Sequence, residues 1–281
     1  MQHAIPAATA AGSTLPLRTR LARNPLVRIV AGIACVLLPL LLTMALAQGL
    51  VAKEWRLGWP YLLAAALCLG GYNFYVRRFE QRAAQEAALA GRIPDLLRGL
   101  GIGAALSMAV TGVLMAAGAL AVSGSASFAL VLKPLPEQAM VAIMEELLFR
   151  AVLFRVTEER WGTRTALVAN VLLFALAHLP NEHVTALAVL NTGIAGLGFC
   201  AAWMLTRSLW LPVGMHFAWN YLFDGVIGVP VSGHAARGWL QVQMSGPEWL
   251  SGGAYGVEAS LATLLLWAVA AAWMLRNAKR P

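Results

Sequence analysis

Within an apolar run, Met144-Glu145-Glu146-Leu147-Leu148-Phe149-Arg150 sets two adjacent carboxylates and a guanidinium. An ionised acid at the centre of a membrane helix costs at least ~2.5 kcal/mol by insertion measurements, so such groups mark function or a specific pairing. Glu146 and Arg150 are spaced i,i+4 with the acid first, the favoured orientation for a helical ion pair. Glu145 is turned about 100° from Glu146 around the helix, which frees it to face a cavity. Adjacent acids in different surroundings suit general acid/base chemistry. The plainer reading is a packing bridge between Glu146 and Arg150, with Glu145 at a wet interface.

Two further segments add donors. Phe174-Ala175-Leu176-Ala177-His178 ends one apolar stretch, and His216-Phe217-Ala218-Trp219-Asn220 lies inside another. His216 and Asn220 are four apart and share a helix face; in lipid both need partners from protein or substrate. At ~1.5 Å rise per residue, Glu145, His178 and His216 can all sit near mid-membrane, or miss one another by a turn. A glutamate and a histidine can hold and deprotonate a water. A histidine with an asparagine can donate to the oxyanion of a tetrahedral intermediate. Glu145, His178 and His216 are equally a zinc ligand set with an open position, the metal then acidifying the water. Glu146, Arg150 and Asn220 would orient such ligands. The residues leave both schemes open. The chain has no H-E-x-x-H or G-x-S-G, and no second intramembrane aspartate to pair with Asp224.

These groups need membrane helices to carry them. The 281-residue chain is 59% hydrophobic and 12% charged, about half the charge of a soluble domain, with mean hydropathy +0.68. Several runs reach the ~20 residues that cross a ~30 Å hydrocarbon core. Eight transmembrane helices are expected, at about 28–50, 57–76, 99–122, 137–156, 165–179, 184–206, 209–227 and 257–275. The third is rich in Gly, Ala and Ser, which permits close helix packing. Alternate loops carry most of the Arg and Lys, so the net charge of +8 follows the positive-inside bias and places both termini in the cytoplasm. Nucleic acid is not an expected partner; the lipid bilayer is. The basic connector 77–98 reads as an amphipathic helix ending near Gly91. The outer loop 228–256 has interface tryptophans and no assigned chemistry. Cys35, Cys68 and Cys200 read as apolar packing residues.

Glu145, Glu146 and Arg150 as E-E-x-x-x-R, Phe174 and His178 as F-x-x-x-H, and His216 and Asn220 as H-x-x-x-N follow in order on successive spans. Together they resemble the CAAX prenyl endopeptidase and bacteriocin-processing (CPBP) family of intramembrane proteases. The resemblance implies an all-α membrane protein of about eight transmembrane helices enclosing an intramembrane polar cavity. By the same likeness, Glu145 and His178 activate water, and His216 with Asn220 stabilise the oxyanion or ligate a metal. Glu146 is the accessory acid and Arg150 its structural support. Members have been described as metalloproteases and as metal-independent glutamate proteases. One divalent metal, zinc first, on Glu145, His178 and His216 therefore stands beside a metal-free mechanism. The implied activity is endopeptidase cleavage of a peptide or membrane-protein substrate, in the inner or plasma membrane if the source is bacterial. A transporter, or a non-catalytic immunity or scaffold protein, is the competing reading, because intramembrane Glu, His and Arg also mark proton relays. The implied organisation is a flexible cytoplasmic tail (1–27), N-terminal transmembrane helices and basic connector (28–136), a catalytic core (137–227), and an outer loop with the last helix (228–281).

Overall fold

The computed structural model describes residues 24–278 and is mostly helical; the expected tail falls outside the described residues as far as position 23. Asn24 caps α1 (Pro25–Leu50) by accepting from the amides of Leu26 and Val27, and Pro25 presets φ in the first turn. The other main helices are α2 (Trp59–Tyr75), α3 (Ile93–Ala116), α4 (Leu135–Glu146), α5 (Arg155–Ala177), α6 (Ala186–Thr206), α7 (Trp210–Tyr221) and α8 (Leu261–Asn277). Three of them, α1, α3 and α6, are 26, 24 and 21 residues long and apolar enough to cross a membrane. α1 leaves Leu38, Leu41, Leu42 and Leu46 exposed, a surface that water does not suit.

Glycines set the closest packing. A Cβ on Gly99 or Gly103 of α3 would fall 2.2 or 2.4 Å from the carbonyl oxygens of Leu211 and Met215 on α7. A Cβ on Gly214 of α7 would meet the Leu96 oxygen at 2.5 Å. Two backbones therefore touch along one seam, as the small residues of the third span suggested.

Several expected boundaries move. The third helix starts at Ile93 and stops at Ala116, because Gly118 turns the chain at φ +70. Residues Leu120–Ser125 then form a strand, β1, antiparallel to β2 (Leu240–Met244). The fourth span does not end at 156: α4 runs on through a π-helical stretch, Leu147–Phe154, into α5. A kink at Gly162 (φ 83, ψ 165) divides α5. The last helix begins at Leu261, behind a cap in which the Ser260 hydroxyl accepts from the Thr263 amide. The connector is not an amphipathic helix up to Gly91. Gln81 adopts φ 55 after a π turn, and Glu80, Arg82 and Glu86 spend their side chains on ion pairs and not on a helical face.

Candidate active site

α4 delivers Glu145 and Glu146 where its backbone passes into the π-helical stretch, a widening that recurs at functional sites. Glu146 is wholly buried and pairs with Arg150 Nη1 at 3.1 Å, the expected i,i+4 contact. Arg150 has further anchors: Nη2 donates to the Gly196 carbonyl at 3.0 Å, and the guanidinium lies 4.6 Å from the Phe174 ring centre and 5.0 Å from that of Phe199. A buried charge so enclosed holds one geometry. It locks α4, α5 and α6 together.

The same Glu146 carboxylate accepts from Nδ1 of His216 on α7, at 2.9 Å. His178 ends α5, and its Nδ1 donates to the Phe174 carbonyl at 2.8 Å. A carbonyl only accepts, so the Nδ1 of His178 carries a proton, and an ionised Glu146 fixes the same at His216. Both rings therefore present Nε2 to the centre. Each Nε2 lies 4.0 Å from the same atom, Glu145 Oε2. That oxygen is buried and has no hydrogen-bond partner. Phe199 stacks on His216 with ring centres 4.8 Å apart and planes at 20°, while Phe174 lies against His178 at 4.7 Å. Asn220, one turn beyond His216 and buried, lines the same pocket.

The structure thus brings Glu145, His178, His216 and Asn220 around one pocket and places Glu146 and Arg150 behind them. The pocket measures about 540 Å³. One carboxylate and two imidazoles are a chemically suitable zinc set, but the spacing is wide. Tetrahedral zinc with ~2.0–2.1 Å bonds spans about 3.4 Å between ligand atoms, against 4.0 Å for both pairs here. Among the described residues no group of three His, Cys, Asp or Glu side chains stands close enough to hold a metal. As placed, the three side chains do not fit a zinc ion. A water ~2.8 Å from each atom of such a pair subtends about 90° and fits the gap.

Other parts of the site were silent in the sequence. Arg237, from the loop assigned no chemistry, pairs with Glu137 at the start of α4 and with Asp224 beyond α7. Gln138 Nε2 also donates to Asp224, at 2.8 Å. Ser232, His234 and Arg237 also line the pocket. Glu258 accepts from Trp219 Nε1 at 2.7 Å and from the Ser232 amide and hydroxyl, tying the loop to α7. Asp224 was a usable signal, since an acid in an apolar segment needs a partner. Phe199, flanked by small residues in an apolar helix, carried none.

Residues 128–222 match the family model described as type II CAAX prenyl endopeptidase Rce1-like, so the chain carries an Rce1-like domain over that stretch, which includes Glu145, Glu146, Arg150, His178, His216 and Asn220 but ends before Asp224, Arg237 and Glu258. Neither the curated proteins nor the solved structures gave a match.

Proposed function

We propose that this chain, on the premise of its Rce1-like domain, is an intramembrane endopeptidase that hydrolyses a peptide bond with a water activated by Glu145 and His178. The observation that carries the reading is the convergence of two Nδ1-anchored imidazoles on one unpartnered carboxylate oxygen. In this reading the chain crosses the bilayer eight times, with α4 and its continuation to the Gly162 kink as one span and the rest of α5 as the next; the pocket lies within the bilayer, and both termini face the cytoplasm, where the basic loops belong. The substrate is a peptide or membrane protein whose cleavage site enters past Arg237.

In the mechanism, the water donates its hydrogens to Glu145 Oε2 and His178 Nε2 and accepts from His216 Nε2–H. His216 is then an imidazolium whose charge is met by Glu146. Glu145 takes a proton as the water oxygen bonds to the scissile carbonyl carbon. The resulting oxyanion accepts from His216 Nε2–H and the Asn220 carboxamide. As the C–N bond breaks, the proton on Glu145 passes to the leaving nitrogen, giving a carboxylic acid and an amine. No step needs a metal, in keeping with the 4.0 Å spacings.

The test uses full-length protein in detergent or liposomes and a panel of peptides with and without a prenylated C-terminal cysteine motif. Wild type cleaves at least one; Glu145→Ala and His178→Ala lose that cleavage while remaining folded. Cleavage retained by either variant would sink the proposal. Activity in 1,10-phenanthroline and EDTA stays near the untreated level; loss restored by added zinc would overturn the metal-free mechanism.

A further inference from the structure

Behind the two histidines lies a second, smaller pocket, about 40 Å³ of room for water centres. It shares His178, His216 and Asn220 with the main pocket and reaches back to Asn191 on α6 and Trp267 on α8. Asn191 uses its amide nitrogen on the carbonyls of Glu258 (2.6 Å) and Ser260 (2.9 Å). Those bonds fix which way the carboxamide faces and leave Oδ1 as an acceptor with no partner. Trp267 is held edge-to-face against Phe199 and Trp219, and its Nε1–H is a buried donor with no partner.

An unsatisfied buried donor or acceptor is destabilising, and a water needs about 10–15 Å³ and two to four polar partners. The pocket meets both conditions for a few waters. With about 40 Å³ of room, the pocket takes no larger polar ligand. A hydrolase buried among apolar helices consumes one water per turnover where bulk water is scarce.

We propose that this pocket is a water-binding site that holds and delivers the hydrolytic water to Glu145, with Asn191 and Trp267 as its positioning residues. The proposal rests on the hydrolytic reading above.

The first experiment needs no substrate. Full-length protein labelled with ¹⁵N-indole tryptophan, in nanodiscs, is examined for water cross-peaks to the Trp267 Nε1–H, assigned by their loss in Trp267→Phe. A long-lived water contact is expected; an indole N–H without one overturns the proposal and leaves the Glu145 result standing. The second fills the pocket from its wall with Ala195→Leu and, separately, removes the donor with Trp267→Phe. Where the fold is intact by thermal melt, kcat falls by about ten-fold or more with KM within about two-fold, since only the water's supply is disturbed. An unchanged kcat in a folded Ala195→Leu protein overturns the delivery role. So does a wet pocket in a chain with no Glu145-dependent hydrolysis, and that outcome removes the protease reading as well.

Discussion

Glu146 shows how one side chain serves two neighbours. It accepts from Arg150 and from His216 while fully buried, so removing its charge disturbs the imidazole more than the helix. Glu146→Gln keeps an oxygen for Nδ1 but not the compensating charge. Loss of an orienting carboxylate lowers activity on the order of 10²-fold. The expected result is a drop of that size in kcat with KM unchanged, and a rise in KM alone would contradict the positioning role. Asn220→Ala removes a proposed oxyanion donor, for which the loss is about 10²–10³ in kcat. Arg150→Ala acts on stability instead, because it leaves Glu146 partly unpaired in the interior, about 3–5 kcal/mol of destabilisation. Arg150→Lys does not restore it in thermal melts, since an ammonium cannot reproduce both the Gly196 contact and the stacking on Phe174.

At the scale of elements, the site depends on a helix seam that touches none of its residues. α7 presents His216 and Asn220 and is held against α3 through backbone contacts at Gly99 and Gly103. A methyl at Gly99 would sit 2.2 Å from the Leu211 oxygen, so the helices must part, whereas a methyl at Gly101 meets nothing within 4 Å. Gly99→Ala is therefore expected to lower peptidase activity and melting temperature, and Gly101→Ala to leave both near wild type. Equal behaviour of the two would show that the seam does not position α7. The same contrast separates a packing effect from helix propensity, which favours alanine at both sites.

For the molecule as a whole, the connector is fastened by a charged cluster away from the site. Glu80 receives Arg28, Arg82 and Arg155 at 2.7–2.8 Å together with the Tyr75 hydroxyl. Glu86 binds Arg82 and Tyr72. Burial alone would raise the Glu80 carboxyl, but hydrogen bonds from Arg155, Tyr75 and Arg28 and the Arg155 charge hold it at about 2, against an ordinary 4.5. Burial likewise opposes Arg82 and Tyr72 at Glu86, and the net direction is again downward. A carboxyl that binds protons less readily when folded stabilises fully above its unfolded value, and that contribution fades as pH falls through the folded one. The melting temperature in detergent should therefore drop between about pH 4.5 and pH 2, and Glu80→Gln should make the drop shallower. An equally steep loss in that variant would place the acid sensitivity elsewhere.

The sequence by itself determined which polar candidates lie within apolar runs and which of them share a helix face. Those facts depend on spacings of three or four residues, and the helix converts them directly into geometry. Glu146 with Arg150 and His216 with Asn220 were legible for that reason. The tertiary structure decided what lies across the gaps. His216 meets Glu146 over a separation of 70 residues, and Arg237 meets Glu137 over one of 100. No local period encodes such pairs. The seam at Gly99, the stacking of Phe199 and the use of the outer loop as pocket lining likewise follow from how helices dock. So does the 4.0 Å spacing around Glu145 Oε2. Residue types left the metal and metal-free sites equal, and the distances on which the two depend are set by packing between helices, which no local spacing encodes.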